Sequence, residues 1–280
     1  MTQRIQHMQL LCSTGAFGRY PTLIDHRDIA QYAPALPVSA FEIMYYPDWT
    51  PHIEKIAADL QATGLRFPAL HVEKNAGPAM ASADAEMRSQ GRAWLRASCR
   101  LGKLLGARVA VFHLWAGPES DTYIERNLAI LAECIEIAQA CEMELAVETL
   151  PCIKSTPLQV MQRVIEQDDR CLVALDTEFL AIHDQIEAAL ATDWLWAAGR
   201  VCHIHLKDYD GEQYSAQGYR RYLHPGEGQL DFPRLFAHLR ARGFGGNLSL
   251  EASVVEPDGS RDLAKLEQSL QHLHALVDRA

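Results

Sequence analysis

A single closed (β/α)8 barrel, an α/β fold, is the class this sequence predicts. Three observations predict it: eight short β-favouring runs, helical patterns between them, and no linker or shift in composition along 280 residues. A chain of this length could also form two ordinary domains, but barrels of this kind commonly reach roughly 250 residues as one unit. Open doubly wound sheets usually carry about five to seven strands, so eight units favour closure. The expected organisation is one domain over residues 1–280.

The elements follow in order. MQLLCST (8–14) is the first strand and AFEIMYY (40–46) the second. DWTPHIEKIAADLQATG (48–64) then reads as a helix, with Thr before Pro at its start and Gly at its end. RFPALHVE (66–73) leads to a helical pattern over 84–104, ARVAVFHL (107–114) to one over 121–140, and ELAVETL (144–150) to one over 157–167. CLVALDT (171–177) and VCHIHLKD (201–208) are the sixth and seventh strands. DFPRLFAHLRARGFGG (231–246) repeats the helix punctuation, with Asp first and Gly last. GNLSLEAS (246–253) and a helix over 260–278 complete the alternation. The apolar strand interiors suit a parallel sheet covered by helices.

Composition narrows the function. With 26 Lys and Arg against 36 Asp and Glu, the formal charge is −10, which disfavours clamping a nucleic-acid backbone. Seven cysteines form no CxxC pair and several sit in apolar runs, so no disulfide framework and a reducing, cytoplasmic setting are expected. The first residues do not read as a signal peptide, and no apolar stretch reaches the ~18 residues of a membrane span.

In such a barrel the functional face lies at the C-terminal strand ends. Ionisable residues gather there on almost every strand: Glu42, His71 and Glu73, His113, Glu148, Asp176, His203 and His205, and Glu251. One such residue alone is ordinarily a hydrogen-bonded structural group, but with this many carboxylates a cation or a cationic substrate is expected among them. Glu148, Asp176, His205 and Glu251 come from consecutive strands, and three carboxylates with one imidazole suit one divalent ion such as Mn²⁺, Mg²⁺, Co²⁺ or Zn²⁺. His203 and His205 share a face; His205 is one step nearer the mouth and is the expected ligand, with His203 a layer deeper in a structural or supporting role.

At these residues the sequence resembles the xylose isomerase-like TIM-barrel superfamily of sugar isomerases and epimerases, which includes the endonuclease IV-type apurinic endonucleases. VFHLWAG, LAVETLP, ALDTEF, HIHLKDYDGE, HPGEGQLDFPRLF and GNLSLEAS carry the resemblance in order and strand placement. It implies one metal on Glu148, Asp176, His205 and Glu251, with Glu148 and Glu251 flanking the substrate as catalytic groups that shuttle a proton. The implied reaction is isomerisation or epimerisation of a small sugar, sugar phosphate or related polyol carbonyl compound. A metal on the carbonyl and hydroxyl oxygens would stabilise the enediolate formed on deprotonation. The alternatives are a dehydratase using the same chemistry and, further off, a phosphodiesterase.

Two departures qualify the resemblance. Many ketose epimerases place a substrate-binding histidine three residues after the sixth-strand Asp, where this chain has Phe179. The trinuclear endonucleases use histidines matched here by His71 and His113, but also need a histidine where this chain has Phe179 and an Asp-x-His where it has Arg220 and Tyr222.

Residues 209–230 form a long aperiodic segment, and such loops are commonly functional. Arg220, Arg221 and His224 in it, Lys207 beside His205, and His71 and His113 are the expected substrate-binding residues. Trp115 and Tyr45 end their strands as rim aromatics, and His183 reads as an ordinary helix residue. The expected partner is a small polyhydroxylated molecule, without nucleic acid or membrane, and self-association into a homo-oligomer is compatible with such a barrel.

Overall fold

Alternation of inward and outward side chains is the rule that builds this molecule. The computed structural model describes residues 7–18, 24–256 and 258–278. Eight parallel strands close in sequence order: β1 (Gln9–Ser13), β2 (Ala40–Met44), β3 (Arg66–His71), β4 (Val109–Phe112), β5 (Glu144–Glu148), β6 (Leu172–Asp176), β7 (Val201–Leu206) and β8 (Asn247–Leu250), with β8 pairing back onto β1. All eight expected strands are present.

Residues of one parity, such as Phe41, Ile43, Leu70, Phe112, Val147, Leu175, Ile204 and Leu248, join the large core between sheet and helices. Those of the other parity turn inward. Near the N-terminal strand ends they are small and apolar, with Leu11, Ala40 and Ala69 in one cluster and Val111, Ala146 and Ala174 in another. Two residues further along the same strands stand Glu42, His71, His113, Glu148 and Asp176, all buried. The pleat therefore carries an apolar floor and an ionisable upper layer on the same strands.

Helix boundaries follow local chemistry. Asp84 accepts from the Glu86 and Met87 N–H groups and starts the long helix Ala85–Leu105, which ends at Gly106 in the left-handed region (φ +79°). Thr156 and Gln159 form a reciprocal capping box on Pro157–Gln167, the span the sequence predicts. The helix expected over 48–64 begins instead as a 3-10 segment, Pro47–His52, and turns α only at Ile53–Gln61; Pro51, which lacks an N–H, lies inside the 3-10 part. The helix expected over 121–140 is interrupted at Ile130, between Ile124–Ala129 and Leu131–Ala140.

After β7 the chain makes no helix until Phe232. Asp208 organises this segment: its carboxylate accepts backbone N–H groups from Tyr209, Gly226, Gly228 and Leu230. All seven cysteines are free. Among the described residues no helix is long and apolar enough to cross a membrane.

Candidate metal centre and active site

The upper layer brings together the four residues that the sequence marks on β5 to β8. One ligand atom each from Glu148, Asp176, His205 and Glu251 falls within 4.8 Å of the others, all four side chains being buried. Register explains the meeting, because Asp176 pairs with His205 and His205 with Ser249, two residues before Glu251. His205 Nδ1 lies 2.8 Å from Glu148 Oε1, 3.4 Å from Glu251 Oε2 and 3.9 Å from Asp176 Oδ2. Asp176 Oδ1 accepts the Phe179 N–H at 3.0 Å, which leaves Oδ2 to face the cluster.

Behind the four stand other ionisable groups. The Nε2 of His205 is 3.0 Å from both oxygens of Glu42, and Ser249 Oγ donates to Glu42 Oε2 at 2.7 Å. His113 Nε2 is 2.7 Å and His71 Nε2 3.4 Å from Glu148 Oε2. The Nδ1 of His71 donates to the Val72 carbonyl at 2.7 Å. Burial pushes His113 down to about 4 although Glu148 is adjacent, so its ring is neutral near pH 7.

The electrostatics call for positive charge. Glu42, Glu73, Glu148, Asp176, Glu178 and Glu251 surround three permanent cations, Lys74, Lys207 and Arg220. Lys207 Nζ is 2.6 Å from Asp176 Oδ2 and 2.8 Å from Glu251 Oε2, and Arg220 pairs with Glu178 at 2.6 Å. Burial alone would lower Lys207, but Asp176, Glu251 and Glu178 hold it well above its ordinary value. His205 is likewise lowered by burial and raised further by Glu42, Glu251 and Glu148, so it stands well above a free imidazole. Burial pushes Asp176 up to about 7 despite the pull of Lys207, with Glu148 and Glu178 adding repulsion.

This donor set fits a divalent ion. Glu148 Oε2, Asp176 Oδ2 and Glu251 Oε1 are buried without an aligned hydrogen-bond donor, and six carboxylates outnumber the three fixed cations. Three carboxylate oxygens and one imidazole nitrogen match the preferences of Mn²⁺, Co²⁺, Mg²⁺ or Zn²⁺.

Above the cluster opens a cavity of about 330 Å³. Glu251 and Lys207 form its floor, Tyr45, Tyr46, Phe179 and Tyr222 its aromatic walls, and Lys74 and Arg220 its cationic rim. Of the six expected substrate-binding residues, Lys207 and Arg220 line it. The other four do not line it. His71 and His113 lie behind Glu148 and touch that carboxylate. Arg221 turns outward to a bidentate pair with Asp210. His224 is buried with its Nδ1 2.8 Å from Ser269 Oγ, a contact to the last helix.

Several site residues carried no role in the sequence. The sequence places Glu42 at the functional face without a role, although strand parity aims it inward. Lys74, Tyr46, Tyr222 and Glu178 come from loops or helix starts, where no periodicity signals direction. Trp115 is fully buried away from the cavity while Tyr45 lines it, and His183 accepts the Cys152 N–H at the end of a short helix.

The family model of the xylose isomerase-like TIM barrel matches residues 30–276. Among solved structures, L-ribulose 3-epimerase is 18% identical with a TM-score of 0.73, covering 96% of this chain and 94% of that one. D-allulose 3-epimerase from Methylomonas sp. is 15% identical at a TM-score of 0.74, over 97% and 98% of the two chains. The 3-keto-D-glucoside 4-epimerase from E. coli is 18% identical at 0.66, over 96% and 99%. At these identities the likeness establishes a shared fold. No curated protein sequence matches the chain.

Proposed function

This chain belongs to the xylose isomerase-like TIM barrel family, and on that premise we propose that it is a metal-dependent epimerase or isomerase of a small polyhydroxylated carbonyl compound. The observation that carries the reading is the convergence of Glu148, Asp176, His205 and Glu251 within 4.8 Å beneath an aromatic-walled cavity. The epimerase neighbours named above support the same class of chemistry.

Glu148, Asp176, His205 and Glu251 would hold one divalent ion, which when bound supplies Lewis-acid stabilisation of negative charge on substrate oxygens. The chain's own groups do the rest. Glu251 reaches the cavity floor, where a carboxylate oxygen can take the proton from the carbon beside the carbonyl. Glu148, against His71 and His113, is the carboxylate that serves the opposite face of that carbon. Lys207 and Arg220 donate to substrate hydroxyl or carbonyl oxygens and fix the carbon between the two glutamates. The tyrosines and Phe179 exclude water, which strengthens each of these interactions.

Proton transfer at carbon leaves a trace whatever the sugar. Protein loaded with Mn²⁺ or Co²⁺ is incubated in D₂O with a panel of five- and six-carbon ketoses and inositol-derived ketones, followed by NMR and mass spectrometry. One substrate should gain deuterium next to its carbonyl and appear as its epimer or isomer, and Glu148→Gln and Glu251→Gln should abolish both changes. Loss of water from the substrate would assign a dehydratase instead. A metal-loaded protein that exchanges no proton on any member of the panel would overturn the reading.

A further inference from the structure

We infer that Glu42 is a positioning residue for the metal centre: it holds His205 by Nε2 so that Nδ1 is the nitrogen presented to the ion. The inference rests on the reading of Glu148, Asp176, His205 and Glu251 as the ligand set, and it concerns a residue outside that set.

A neutral imidazole has one N–H and one lone pair, and whichever nitrogen keeps the hydrogen leaves the other free to ligate. Around His205 the two nitrogens have distinct surroundings. Nδ1 faces Glu148, Asp176 and Glu251, at 2.8 to 3.9 Å. Nε2 faces away from them, 3.0 Å from each Glu42 oxygen, and a carboxylate there can only accept. With an ion in place of the Nδ1 proton, Glu42 accepting from Nε2–H keeps the remaining hydrogen there and leaves the Nδ1 lone pair toward the other three ligands.

Glu42 is anchored for this task. Ser249, the β8 register partner of His205, donates to Glu42 Oε2 at 2.7 Å, and His203 Nε2 lies 3.4 Å from the same oxygen. The His205 ring is also confined, stacked on His71 with centroids 5.7 Å apart and edge-on to His203 at 4.9 Å. Barrel closure makes the arrangement possible, since Glu42 on β2 reaches past β1 to side chains on β7 and β8. Glu42 is fully buried and does not line the cavity, so it acts through His205 and does not touch substrate. Groups that orient a ligating histidine in this way typically change metal affinity by about 10–100-fold when removed.

The test measures metal affinity directly. Co²⁺ dissociation constants are determined by competition with a chromophoric chelator for wild type, His205→Ala, Glu42→Gln and Glu42→Leu, with the melting temperature of each metal-free protein alongside. Nitrogen NMR of ¹⁵N-histidine-labelled, Zn²⁺-loaded protein reads which ring nitrogen carries hydrogen. The expected result is one ion per chain and a wild-type His205 protonated at Nε2. Glu42→Gln, which keeps an acceptor oxygen, should bind about tenfold more weakly, and Glu42→Leu toward a hundredfold, with the Glu42→Gln melting temperature near wild type. Affinity unchanged in Glu42→Gln while His205→Ala is impaired overturns the inference alone. So does a second ion lost with Glu42, because Glu42, His203 and His205 would then be ligands themselves. Absence of binding in wild type, or wild-type affinity in His205→Ala, overturns the ligand set and the inference with it.

Discussion

Lys207 lies over the ring of Phe179, its ammonium 4.5 Å from the ring centroid. The contact holds the lysine stem between Asp176 and Glu251 at the cavity floor, and a cation–π pair of this kind contributes about 1 kcal/mol. Phe179→Leu should keep an apolar wall and lose that contribution. The Phe179 backbone N–H still orients Asp176, so metal affinity should stay within about twofold while kcat/KM falls about fivefold. Isothermal titration with Mn²⁺ beside steady-state kinetics separates the two effects. A parallel loss of metal affinity would place Phe179 in the ligand framework instead.

Metal should stabilise the fold by mass action. At a free Mn²⁺ concentration 100 times the dissociation constant, binding to the native state adds about 2.7 kcal/mol. For a chain of this size that is a rise of roughly 4–6 °C in melting temperature. Calorimetry with metal, with chelator, and with metal restored should show the rise, its loss and its return. His205→Ala should show none of the three.

Asp208 should govern the order of the loop that carries Arg220 and Tyr222 to the cavity. A Cβ on Gly228 would stand 2.4 Å from Asp208 Oδ1 and 2.6 Å from the Tyr209 carbonyl. Gly228→Ala must therefore displace the hub, and Asp208→Ala leaves four backbone N–H groups without their acceptor. Each should cost on the order of 3 kcal/mol in urea unfolding and speed amide exchange at Gly226, Gly228 and Leu230. Wild-type exchange at those amides in Asp208→Ala would show that the loop is held by other contacts.

His224 should make the protein less stable in acid. Burial pushes it down to about 4, with the Lys265 charge adding to the effect. An unfolded histidine titrates near 6.5, so between pH 6.5 and 4 the unfolded chain takes up a proton that the fold refuses. The contribution is complete above about pH 6.5 and is lost as pH falls, by up to about 1.4 kcal/mol per pH unit. Urea titrations from pH 7.5 to 4.5, with chelator throughout to remove metal loss, should give His224→Gln a shallower slope than wild type. Equal slopes would mean that the folded histidine protonates as freely as the unfolded one.

Much of this architecture is written in strand parity. Glu148, Asp176, His205 and Glu251 were visible in the sequence because each lies at a strand end, on the face opposite the residues that pack under the helices. Their neighbours on the same strands, such as Val147, Leu175 and Ile204, are outward and apolar. The long segment after β7 offered no such guide. Arg220, Arg221 and His224 looked equivalent there, yet one reaches the cavity, one pairs with Asp210 and one packs on Ser269. Their directions are set by the Asp208 hub, a pattern of backbone contacts that has no period.

From the sequence alone follow the eight-strand barrel, its apolar floor and the four inward groups on its last four strands, because a strand repeats every two residues and hydrophobic burial selects the face. Only the tertiary structure decides that Glu42 meets Nε2 of His205, that His71 and His113 stand behind Glu148, and that Lys207 lies between Asp176 and Glu251. Those contacts join strands far apart in the chain, and closure of the barrel sets the distance across it.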